Sequence, residues 1–359
     1  MEVAQPRRAF QTLDGMRGVG AFLVVTRHVP MFFGPFKAPE SFLAVDLFYL
    51  VSGFVVAHAY GQRLKAGGFF WDFFKTRLIR LYPLYAFGLG LGIIAASYSV
   101  ITDPAGWWTP YKLVEAILTG ILMIPMFPGL QTNGTALDGP VWTLLPELIA
   151  NMVYAAGIRV MTLGVLMAIV VLCGAGVIFA EFHYGSLDVG FGPTQQWAAL
   201  ARVGFSFFAG VLLFRFFGDR KIDSALASWA CVAILALALA YNPSDDLTPY
   251  YELALVMVGF PLLLVMAGHF EPGPRVGRIF AHIGLVSYGV YIVHQPLGNL
   301  ARIALAHRFA IPGDASGLIY GAAFLAFLVA FAGWLDKAYD APVRKLLRAR
   351  FMPARPKAS

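Results

Sequence analysis

The chain has 359 residues, 59% of them hydrophobic and 13% charged, with a mean hydropathy of +0.70. Soluble domains carry about 25% charged residues, so this composition excludes a soluble fold. The net charge of +7 does not point to nucleic acid, because the basic residues fall in short clusters between apolar runs rather than on one continuous face.

A helix needs about 20 mostly apolar residues to cross the hydrocarbon. Runs of that kind fall at 18–33, 42–60, 83–100, 113–127, 141–158, 161–180, 198–217, 225–241, 249–268, 279–300 and 316–336. The basic start, Pro6-Arg7-Arg8-Ala9-Phe10, leads into a run that carries Arg17, Arg27 and His28 and has no small-residue cleavage site. It reads as a retained first helix rather than a signal peptide. The run 113–127 is short, ends in Pro125 and Pro128, and opens into the Gly/Asn/Thr-rich stretch Gly129 to Gly139.

Loop charges set the topology, because Lys and Arg accumulate on the cytoplasmic side. Arg7 and Arg8 place the N-terminus inside, and Arg63, Lys65, Lys75, Arg77 and Arg80 place the 61–80 loop there too. A full crossing by 113–127 would turn Arg215, Arg220, Lys221, Arg275 and Arg278 outward and the acidic 181–188 and 243–252 inward. A segment that enters and leaves from the outside puts all of them on their expected sides and misplaces only Arg302 and Arg308. The expected fold is an all-α polytopic transmembrane bundle of about ten spans plus a re-entrant segment, with both termini cytoplasmic. Residues 1–359 are expected to form one transmembrane domain without an extra periplasmic domain, with a basic tail from about residue 337 against anionic headgroups. No fixed-period repeat or inverted pair of halves favours a solenoid or transporter architecture. Cys173 and Cys231 sit in apolar runs outside any CxxC or Cys/His cluster, so they read as packing residues and no metal site is expected.

Ionisable residues inside spans are expensive and mark candidate functional positions. Arg17 and His28 are eleven positions apart, about three helical turns, so they share a helix face about 16 Å apart along the axis. A guanidinium suits phosphate or carboxylate, and an imidazole suits taking a proton from a hydroxyl; capping or interfacial roles are the alternative. Asp46 is placed either to orient His28 across a short antiparallel link or as an exposed N-terminal charge favoured by the helix dipole. His58, at the inner end of the same span, reads as structural. Arg77 and Arg80, three apart, share a face that could hold phosphates, although positive-inside bias alone produces such clusters. Glu147, about five residues into an apolar helix, needs a partner or a proton. His294 lies at depth in the tenth apolar run, 279–300, with a structural and a direct role both open.

With these segments in order, the chain resembles the acyltransferase 3 family of integral membrane acyltransferases, which modify surface polysaccharides, lipids and antibiotics. Leu13-Asp14-Gly15-Met16-Arg17-Gly18 through His28 resembles its first-helix motif, and Val45-Asp46-Leu47-Phe48 to Ser52-Gly53-Phe54 its second. Arg77 to Pro83 is similar to its arginine-rich cytoplasmic segment. Trp142-Thr143-Leu144 with Glu147 resembles its tryptophan, serine, leucine, glutamate block, and Ser287-Tyr288-Gly289 to His294-Gln295-Pro296 its late helix. Thr143 stands where serine is usual, Pro146 precedes Glu147, and Gln295 replaces a common tryptophan.

The resemblance implies transfer of an acyl group, usually acetyl from cytoplasmic acetyl-CoA as cosubstrate, to a hydroxyl on the other side. Arg17 and His28 match the family's essential pair. The combined expectation is that Arg17, Arg77 and Arg80 hold the anionic part of acyl-CoA and that His28, with Asp46 or Glu147, activates the acceptor hydroxyl or relays the acyl group. Trp142, Tyr288 and His294 are substrate or structural candidates. The partners expected are a carbohydrate or lipid-linked glycan acceptor and the lipid bilayer, in a bacterial inner membrane. The competing readings are a transporter that uses His28, Asp46 and Glu147 as a proton relay, and a structural membrane subunit.

Overall fold

Within hydrocarbon, an open chain satisfies its own backbone polar groups only as helix, and the apolar runs fold accordingly. The computed structural model describes residues 9–103, 105–126, 137–218, 220–305 and 316–352. Arg7, Arg8, Arg308 and residues 127–136, used above to set topology, lie outside them.

The helices are α1 (Gln11–His28), α2 (Ala44–Lys65), α3 (Phe70–Thr102), α4 (Pro110–Ile121), α5 (Leu144–Gly157) and α6 (Leu163–Tyr184). They continue as α7 (Gln196–Phe217), α8 (Ala225–Ala240), α9 (Thr248–His269), α10 (Pro274–Leu305) and α11 (Gly317–Phe351). Among the described residues, seven helices are long and apolar enough to cross a membrane: α2, α3, α6, α7, α9, α10 and α11. The remaining expected spans are short or charged: α1 carries Asp14, Arg17 and Arg27 within 18 residues, and α5 and α8 have 14 and 16 residues. Large apolar side chains cover the outside, with Leu226 83% and Leu172 73% exposed, as a lipid-facing surface requires.

Two sets of contacts define the ends of the bundle. At one end, Gln11 N–H donates to Glu271 Oε2 at 3.1 Å, Ile222–Asp223 pairs in parallel with Phe270–Glu271, and Lys75 Nζ donates to the Phe351 carbonyl at 3.4 Å. At the other, Arg27 Nη1 donates to the Pro39 carbonyl at 3.1 Å and Ser186 donates to Glu252 at 3.1 Å.

α4 does not run the full depth. Tyr82 and Tyr85, in the middle of α3, donate to the carbonyls of Ile121 at 2.9 Å and Gly120 at 2.5 Å, so α4 stops halfway. By Leu137 the chain is back beside Gly92, nearer the end from which it came. The chain then descends through a tight turn, Gly139–Thr143, into α5.

Small residues set the closest approaches, because side chains would otherwise hold the helix axes apart. Gly53 of α2 faces the Phe207 carbonyl of α7, and Gly210 of α7 faces the Leu50 carbonyl of α2; a Cβ at either would overlap the oxygen. Gly90 of α3 has nothing within 4 Å of a built Cβ. Gly210→Ala is therefore expected to cost about 1–3 kcal/mol by overpacking, and Gly90→Ala to leave stability unchanged or raise it. Thermal unfolding of the detergent-purified variants checks both; equal midpoints would show that the helices adjust freely.

Candidate active site

Residues 17, 21, 24 and 28 fall on one face of α1 at the i, i+4, i+7, i+11 spacing. That face lines two cavities in succession. The first, about 320 Å³, is lined by Arg17 and Ala21 together with Arg77, Arg80, Glu147 and Tyr288. The second, about 270 Å³, is lined by Val24 and His28 together with Arg27, Trp142, Asp188, Arg202 and Gln295. Val45 and Tyr291 line both. One helix face thus connects a chamber with three arginines to a chamber with a histidine.

In the first chamber, Arg77 Nη2 donates to Glu147 Oε1 at 3.0 Å, and Ser52 Oγ donates to the same oxygen at 2.7 Å. Glu147 is held at this depth because Pro146 and Glu147 occupy the first turn of α5, directly after the descending turn. Arg17 sits 3.5 Å from Asp14 on its own helix, and Arg80 is exposed at the chamber's mouth. Tyr288 donates to the Leu81 carbonyl at 2.7 Å, tying α10 to α3 beside the arginines.

In the second chamber, His28 Nδ1 lies 3.0 Å from the Val24 carbonyl. A carbonyl only accepts, so Nδ1 is the donor, and in the neutral ring the lone pair then belongs to Nε2. The His294 ring lies 5.2 Å from His28 edge to face, and its Nδ1 is 3.1 Å from the Val290 carbonyl, which fixes the same tautomer. His294 is fully buried. Arg27 pairs with Asp188 and stacks over Phe42, its guanidinium carbon 4.9 Å from the ring centroid.

Asp46 corrects both expectations for it. It is 1% exposed and its carboxylate is held by Arg202, with Nε to Oδ1 at 3.2 Å and Nη2 to Oδ2 at 2.5 Å. Arg202 also donates to the Val189 carbonyl at 2.7 Å and lies 5.6 Å from the Trp142 ring centroid. The carboxylate therefore neither orients His28 nor faces solvent at a helix start; it neutralises a buried guanidinium between α2 and α7. Glu147 likewise stands in the first chamber beside Arg77, across the partition from His28, so it does not orient the imidazole.

Arg202 was not singled out from sequence, although an arginine inside an apolar stretch, well apart from the Arg215 at the end of the run 198–217, was the signal for it. Asp188 and Tyr291 carried no such signal, since one lies in an acidic loop and the other in an aromatic-rich span. His58 packs edge-on between Phe10 and Phe214, at 5.1 and 5.4 Å. Cys173 and Cys231 are free thiols, and among the described residues no three His, Cys, Asp or Glu side chains are arranged to hold a metal ion.

Comparison with known proteins bears on this arrangement. Residues 10–336 match the family described as an acyltransferase domain. Protein 2 in the picA locus of Rhizobium radiobacter is 43% identical over 162 residues, covering 42% of this chain and 83% of that protein. No solved structure matches. The match spans α1 to α11 and with them both chambers, and the chain belongs to the acyltransferase 3 family: it is an integral membrane acyltransferase.

Proposed function

We propose that the protein moves an acetyl group from cytoplasmic acetyl-CoA, through the bilayer, to a hydroxyl of an extracytoplasmic glycan or glycolipid. The observation that carries this reading is the pair of chambers along one face of α1, with Arg17 in one and His28 in the other. The end that holds Arg63, Lys65, Lys75, Arg77 and Arg80 is the cytoplasmic one by the positive-inside rule.

In this scheme Arg17, Arg77 and Arg80 take the phosphate groups of the coenzyme, for which guanidinium forks are the best-matched side chains. Glu147 holds Arg77 in place and limits the excess positive charge of the empty chamber. The thioester end of the coenzyme reaches toward the second chamber. There the Nε2 lone pair of His28 accepts the proton of the acceptor hydroxyl. The resulting oxygen attacks the thioester carbonyl, the C–S bond breaks, and the thiolate leaves and takes up a proton to give free CoA. Trp142, Phe42, Asp188 and Gln295 offer the mixture of flat apolar faces and polar groups that a sugar ring fits.

Two acceptor-dependent measurements test the scheme. Membranes given radiolabelled acetyl-CoA should place label on glycan and release one CoA thiol per ester. Arg17→Ala should raise the KM for acetyl-CoA about 10- to 100-fold, the value of one or more charge-assisted hydrogen bonds. Accumulation of unmodified solute without thiol release would instead identify a transporter, and an unchanged KM would remove Arg17 from the coenzyme site.

A further inference from the structure

The two chambers adjoin where three helices contribute to both linings or pass from one to the other. Val45 of α2 and Tyr291 of α10 line both cavities, and on α1 the lining passes from Ala21 in one to Val24 in the other. Tyr291 is held rather than free. Its hydroxyl donates to the Pro140 carbonyl at 2.9 Å and lies 3.1 Å from Thr143 Oγ1, while its ring meets Phe48 edge-on at 5.9 Å. Tyr49 donates to the Thr143 carbonyl at 3.1 Å, so the turn that opens α5 is pinned from both α2 and α10. Ala21, Val45 and Tyr291 are 1%, 6% and 6% exposed, and fixed rotamers of this kind make a rigid opening.

We propose that Ala21, Val45 and Tyr291 form the aperture between the chambers and set the size of acyl group that passes. The proposal rests on the transfer reading given above, since the acyl end of a coenzyme whose phosphates are held at Arg17 must pass this point to reach His28, about 16 Å along the helix axis. A small side chain on α1 opposite a branched one and an aromatic ring leaves room for a short chain and excludes a longer one. Discrimination by such a wall is steep: each methylene changes relative rates by about 10- to 200-fold.

The test uses the full-length protein in everted membrane vesicles that carry their own glycan, supplied with radiolabelled acetyl-CoA or butyryl-CoA. The readout is the butyryl-to-acetyl ratio of label fixed in the glycan, which a general loss of folded protein does not move. Wild type should strongly favour acetyl. Val45→Ala and Tyr291→Leu should raise the ratio about tenfold or more, and Ala21→Val should lower it. Tyr291→Phe, which keeps the ring and loses only the hydroxyl, should leave the ratio near that of wild type. Three variants on three helices keep the test decisive if one fails to reach the membrane. Ratios that stay at the wild-type value in variants that still transfer acetyl overturn the aperture, and so does a Tyr291→Phe shift as large as that of Tyr291→Leu. Absence of transfer by wild type with either donor overturns the transfer reading itself, and the aperture with it.

Discussion

Replacing His28 with alanine is expected to lower acyl-CoA-dependent ester formation by about 10²- to 10⁴-fold, the usual contribution of a positioned general base. The protein should remain in the membrane at its normal level. His28 lines a cavity and its one hydrogen bond runs to a backbone carbonyl of its own helix, so its removal leaves no buried charge or orphaned partner side chain. The KM for acetyl-CoA should stay within about twofold, since the arginines lie in the other chamber. Initial rates at saturating and limiting donor separate these effects. A His28→Ala enzyme with the wild-type rate would remove the imidazole from the chemistry.

Asp46→Ala should act in the opposite way, through the fold. Removing one partner from a buried ion pair leaves the other charge uncompensated and costs about 3–5 kcal/mol. Here Arg202 would be left 1% exposed with, among the described residues, the carbonyls of Val189 and Phe42 to accept from it. The variant should accumulate poorly, and its activity should fall in step with the amount of folded protein. Asp46→Leu combined with Arg202→Met should restore abundance, because an apolar pair of similar volume removes both charges. A carboxylate that served His28 would behave differently, with normal abundance and a lowered kcat. Membrane abundance measured beside activity per molecule distinguishes the two, and normal abundance of Asp46→Ala would contradict the structural role.

Much of the site was legible because it is local. Eleven positions on a helix place Arg17 and His28 on one face whatever the rest of the chain does, and both line cavities along that face. Loop charge set 113–127 apart from the crossing runs, and in the fold α4 is a 12-residue helix whose C-terminal end meets Tyr82 in the middle of α3. What could not be read was long-range. Asp46 and Arg202 are 156 positions apart, and no spacing rule brings them together. Arg77 and Glu147 were both singled out, but as parts of different functions; only the packing of α3 against α5 makes them a pair.

Hydropathy also misjudged lengths, in both directions. The run 83–100 marks the apolar part of α3, yet the helix begins at Phe70, because the amphipathic turns around Arg77 and Arg80 extend it toward the headgroups. The run 141–158 is partly a tight turn, since Pro140 and the hydrogen bonds of Tyr49 and Tyr291 hold Gly139–Thr143 out of the α-helix. That turn separates the two chambers, so the partition was invisible to a hydrophobicity scan.

In the proposed reaction the acyl group enters on one side of the membrane and is esterified on the other. Sealed everted vesicles with glycan confined to the lumen test it directly, with labelled acetyl-CoA, which does not cross lipid, added only outside. Lumenal glycan should acquire label as CoA thiol appears outside in equal amount, and vesicles with Arg17→Ala or His28→Ala protein should lose both together. Label that reaches glycan only after the vesicles are opened by detergent would contradict transfer across the bilayer.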